Sequence, residues 1–238
     1  MSEQMNTPML PPPSGVSAWV ATWREAITRP SEQTFARIAL SPNAKASTAF
    51  LWIFLGSLVS IFLASLVQGA VMRQFMQNSD FGGNGVPAGF GGGLVTAVCG
   101  APIGALISVV IFAIFVGVVQ LVAKMFGGTG TFEQLAYATA AIATPFSLIS
   151  GVLTLLSAIP YVVYCSGLVS LIALVYVIAL EVMAVKGVNQ FGWGQAIGSY
   201  FLPALVLFCC LAVGAIGLVS LAGPSISEIF NSIQQSLP

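Results

Sequence analysis

The chain has 238 residues, 57% of them hydrophobic and 6% charged, with equal numbers of acidic and basic side chains and no His. Soluble domains carry roughly 25% charged residues, so this chain is too apolar to cover a surface facing water. A net charge of zero without a basic tract excludes a nucleic-acid-binding surface, and the lack of His removes the commonest general base and metal ligand.

The few charges are segregated. Residues 46–72, 81–123, 134–180 and 187–227 contain no Asp, Glu, Lys or Arg. About 20 apolar residues cross the roughly 30 Å hydrocarbon core of a bilayer, so each interval holds one helix and the third holds two. The pattern predicts an all-α, polytopic transmembrane helix bundle with spans at about 47–71, 94–123, 132–158, 162–185 and 197–221. Together these form a membrane domain over 46–222.

Residues 1–16, with Pro8 and Pro11-Pro12-Pro13, lack the charged start and apolar core of a signal peptide. They read as a disordered tail. Residues 17–45 turn amphipathic, with Trp19, Trp23 and Ile27 recurring every four positions before Pro30. Beyond it, Phe35 and Ile38 face away from Glu32 and Arg37. The spacing predicts two short cytoplasmic helices, either lying at the headgroup level or simply solvated. Trp19, Trp23 and Trp52 are the expected interface anchors.

The first span opens on the aromatic cluster Phe50 to Phe54. Between it and the second span, residues 73–93 contain Gly82-Gly83-Asn84-Gly85 and Gly91-Gly92-Gly93, too much glycine for regular structure. The second span begins with Gly100-Ala101-Pro102-Ile103-Gly104, a close-packing pattern with a proline able to bend the helix. It serves either internal packing or a dimer interface.

A glycine turn at Gly127-Gly128-Thr129-Gly130 precedes Thr131, which can cap the third span with Gln134 reaching back. That span is rich in alanine and carries Pro145 at mid-membrane. Such a proline either kinks a packed helix or frees backbone to line a cavity. Ile159-Pro160-Tyr161 is the expected outer turn. The fourth span carries Glu181 near its end, and a loop containing Lys186-Gly187 and Gly192-Trp193-Gly194 leads to the fifth. Residues 223–238 are polar and suit a short interfacial helix. The four cysteines fall in apolar segments and read as small buried hydrophobes or, alternatively, as a disulfide pair.

With five spans, six of the seven basic residues lie on the side of the N-terminus, Arg73 alone being opposite. The positive-inside rule then places the N-terminus in the cytoplasm and the C-terminus outside the cell membrane.

Three groups of residues carry a resemblance. They are Arg29-Pro30 with Phe35 and Ile38; Gly127-Gly128-Thr129-Gly130-Thr131-Phe132 with Ala136, Tyr137 and Pro145; and Glu181 to Val188 with Trp193 and Ala196. In order and spacing over residues 25–215 they resemble the Yip (Ypt-interacting protein) family of integral membrane proteins in its bacterial form, although Lys186 stands where a His is often found. The resemblance implies a five-span helical bundle behind a cytoplasmic helix, in a bacterial inner membrane. The acidic N-terminal motif tied to Rab GTPases in eukaryotic relatives is not evident.

Glu181 is the most informative charge, since acids inside membranes are expensive. Near the end of its span it is either paired or snorkelling, with Lys186 within reach only where the helix frays, or else a proton or ion site. No residues form a catalytic, cofactor-binding or metal-binding set. The sequence therefore points to a non-enzymatic membrane protein without cofactors. Its partners are the lipid bilayer and other membrane proteins or copies of itself, alone or within a larger complex. The alternative is a small-solute transporter or channel working as a homo-oligomer.

Overall fold

A computed structural model of the chain describes residues 15–78, 96–156, 162–206 and a few positions from 208 to 217. The described residues are helical throughout, joined by short turns. Helix α1 (Val16–Thr28) and helix α2 (Glu32–Ala39) precede the long helices α3 (Ala46–Asn78), α4 (Ala101–Met125), α5 (Phe132–Leu156) and α6 (Val162–Asn189). A last helix, α7, occupies 193–206.

Each boundary has a local cause. Arg29 leaves the helical region at φ −130°, as a residue before proline must. Ser31 then caps α2, its hydroxyl accepting from the Thr34 N–H at 3.0 Å. Glu32 sits in the first turn of α2 and Arg37 in its last, the order the helix dipole favours. A wide π turn, Thr96–Gly100, leads into α4, so Pro102 falls in the first turn. The preceding π turn is a local widening of the kind that accommodates a proline within a continuous span.

Two expected boundaries move. Helix α3 runs on through Arg73 to Asn78, beyond the expected end at 71. Leaving hydrocarbon does not end a helix when no breaker follows, and the glycines begin only at Gly82. Helix α6 likewise continues through Lys186 and Gly187 to Asn189, where Gln190 turns the chain with φ 55°. Lys186 and Gly187 thus belong to the helix rather than to the loop. Of the expected 1–16 tail, 1–14 lie outside the described residues and Val16 already opens α1. The glycine-rich part of the 73–93 loop, the Ile159-Pro160-Tyr161 turn and the 223–238 segment lie outside them too.

By length and apolarity, four helical stretches among the described residues can cross a membrane: Ala46–Val67, Ala97–Met125, Phe132–Leu156 and Ser166–Asn189. Helix α7 covers the first part of the stretch expected as a fifth span, and much of the rest lies outside the described residues.

Helix α5 is the centre, packing against α1, α2, α3, α4 and α6. Every residue from Leu135 to Ile142 is buried, a run possible because four of them are alanines and neighbours approach from all sides. Helix α3 lies across α5 with Gly56 against Thr144 and Ser147. Gly104 faces Ile61 of α3, so this part of the Gly100–Gly104 pattern packs within the chain. Exposed residues such as Ile107, Val110, Leu171 and Ile172 form the lipid-facing surface. Cys99 and Cys209 are free and exposed on it rather than buried.

Candidate functional site at the loop-bearing end

The 126–131 turn is built by two helix ends. Gly127 takes φ +86°, a left-handed conformation suited to glycine. Its N–H bonds Lys124 O at 3.0 Å and the Gly128 N–H bonds Ala123 O at 2.8 Å, which closes α4 with a Schellman motif. Thr131 then opens α5. Its N–H donates to Gln134 Oε1 at 2.9 Å, and the Gln134 N–H donates to Thr131 Oγ1 at 3.3 Å, a reciprocal capping box.

Two buried amides hold this turn against the bundle. Gln120 Nε2 donates to Gly130 O at 2.7 Å and to Asn189 Oδ1 at 3.1 Å. Asn189 Nδ2 donates to Val185 O at 3.1 Å and to Gln120 Oε1 at 3.4 Å. The Thr129 N–H reaches Asn189 O at 3.2 Å. Helix α7 joins through Gln195, whose Nε2 donates to Phe126 O at 3.1 Å. Gln120 had one legible signal, a lone amide in a charge-free span. Asn189 had none.

Helix α2 docks on the end of α6. Lys186 pairs with Glu32 and lies over the Trp193 ring, 4.3 Å from its centroid. Gly187 lets the α2 backbone approach, for a Cβ there would overlap the Glu32 carbonyl. Glu25 and Arg37 pair between α1 and α2. Tyr176 donates its hydroxyl to Ile27 O at 2.7 Å, meeting one of the carbonyls that the end of α1 leaves free.

Lys186 therefore does not meet Glu181. Positions five apart on a continuous helix point about 140° apart, and α6 does not fray here. Glu181 instead accepts from the Tyr200 hydroxyl of α7 at 2.5 Å. Trp52 also differs from its expected role as an interface anchor. It is fully buried in protein, with its ring centroid 4.7 Å from that of Tyr137 in a tilted contact, and edge-on to Trp19 at 6.0 Å and Trp23 at 5.5 Å. Trp19 and Trp23 are half-buried, turned inward onto it. Pro145 lies within α5 away from this end, half-buried beside Thr144, whose buried hydroxyl has no partner.

Between α2, the glycine turn and the end of α6 run two adjoining spaces of about 170 and 300 Å³. They share Ala36, Gly187 and Gln190; Thr129 and Gln134 line one, and Glu32, Gln33 and Lys186 the other. The groove thus has low walls of small residues and a rim of amides, with its facing charges already paired.

Replacing Gly187 with leucine is expected to lift α2 from α6. In a background lacking the four native cysteines, Ala39→Cys is buried and should label slowly. It should label at least several-fold faster when combined with Gly187→Leu. Unchanged labelling would show that α2 is held elsewhere.

Long apolar helices packed around α5, with their outer faces clad in aliphatic side chains, define a multi-pass integral membrane protein in contact with the lipid bilayer. The Yip1 domain model matches residues 24–214, from α1 into the region beyond α7, and the chain belongs to the Yip1 family. No curated protein and no solved structure is a significant match to this chain.

Proposed function

We propose that this protein is a non-enzymatic membrane component that binds or organises other membrane proteins, with the groove beside α2 as the place where they are received. The observation that carries this reading is the construction of the groove. Its floor is held by the buried Gln120–Asn189 pair, while one wall, α2, is a separate short helix docked through the partly exposed Glu32–Lys186 pair and the buried Phe35 and Ile38. A floor built by the spans beside a wall supplied by a separate short helix suits recognition of a partner. Within the same proposal the fifth span is completed over about 197–221. The N-terminus and the groove face the cytoplasm of a bacterial cell, and the C-terminus lies outside.

Extraction in mild detergent is expected to bring down a defined membrane complex with the native chain and much less of it with Ala36→Trp, which fills the groove. The purified protein in liposomes should pass no solute. Specific, saturable flux that is lost in Glu181→Gln would overturn the reading in favour of a transporter.

A further inference from the structure

Helix α1 sits deeper than the ends of the spans around it. Trp19 and Trp23 meet Trp52, six residues beyond Ala46 and so about 9 Å along α3. Ile27 is reached by Tyr176, thirteen residues before Asn189 and about 20 Å along α6. Lys45, just before α3, and Lys124, in the last turn of α4, are exposed near the helix ends. A helix at that depth suits the boundary of headgroups and acyl chains. Its outward stripe agrees, for Val16 is 66% and Val20 51% exposed on the flank beside the tryptophans, and both would be covered by lipid.

Arg24 continues this stripe, one turn beyond Val20, and Arg29 follows at the end of the helix; both are exposed. The acids nearest in sequence are committed elsewhere, Glu25 to Arg37 and Glu32 to Lys186. Among the described residues Arg24, Arg29, Lys45 and Lys124 make no ion pair. A guanidinium held beside hydrocarbon needs an anion, and a phosphodiester offers it two oxygens in matching geometry.

We propose that Arg24 and Arg29 bind the phosphodiester headgroups of anionic phospholipids seated against α1, with Lys45 and Lys124 adding to the attraction from the helix ends. A zwitterionic headgroup brings its own ammonium beside these cations and is disfavoured. This surface goes beyond the groove reading and does not depend on it.

The test uses the full chain reconstituted in mixed phosphatidylglycerol and phosphatidylcholine bilayers, then released for native mass spectrometry of the retained lipid. Phosphatidylglycerol should be enriched over the bulk mixture. Arg24→Gln with Arg29→Gln should lower that enrichment by roughly tenfold or more, taking about fivefold per cation. Arg24→Lys with Arg29→Lys should keep most of it. High salt should weaken enrichment in the native protein, which decides the matter even where the glutamine variant fails to fold. Retention of both lipids in the bulk ratio, or full enrichment in a folded glutamine variant, would overturn the proposal.

Discussion

Trp52→Ala is expected to lower the stability of the folded protein by about 3–5 kcal/mol, read as a large fall in melting temperature in detergent or lipid. Trp52 is fully buried where α1, α3 and α5 meet, touching Trp19, Trp23 and Tyr137. Alanine leaves a cavity there, and the loss of dispersion contacts follows whether the outer solvent is water or lipid. It also removes the surface on which α1 rests. Trp52→Phe should be far milder, because the Trp52 indole N–H is buried without an acceptor. Phenylalanine keeps an aromatic ring and deletes that stranded donor, whose burial costs about 1–3 kcal/mol. Equal losses in the two variants would show that aromatic packing is not what the site requires.

The second large effect is expected at the buried amides. Gln120→Leu strands the Gly130 carbonyl and the side-chain oxygen of Asn189, each at about 1–3 kcal/mol. Asn189→Leu strands the side-chain oxygen of Gln120 in turn, while its Nε2 keeps the Gly130 carbonyl. The Thr129 N–H should keep its partner, since it bonds the backbone oxygen of residue 189. The double variant should lose less than the sum of the single ones, with a coupling of about 0.5–3 kcal/mol, because two apolar groups facing each other strand fewer polar atoms. Strict additivity would mean that the pair does not act as a unit. The same variants should loosen the groove floor, detectable as faster amide exchange at Gly130 and Thr129.

Much of the architecture was legible before the fold was known. The helical class followed from apolar length and charge-free intervals. Thr131 and Gln134 announced their capping box by spacing alone, and Gly127-Gly128 marked the turn. Interactions local in sequence need only the chain's own geometry, so residue order suffices to find them. The groove was not legible in this way. Lys186 and Glu181 lie close in sequence but point to different faces, while Lys186 and Glu32 come together only when α2 docks on α6. Trp52 read as an anchor because aromatic residues at a span's start favour the interface. Its burial depends on α1 folding back over it.

The sequence by itself determined that this is a multi-pass helical membrane protein, because a bilayer accepts only chains whose apolar stretches match its thickness. That requirement is one-dimensional and can be read in order. Which polar groups meet at the loop-bearing end was decided by the tertiary structure alone. Gln120 with Asn189, Glu32 with Lys186 and Tyr200 with Glu181 are pairings across helices. They depend on rotation and depth within the bundle, and apolar surfaces fixed those through the small residues that let α5 sit at the centre.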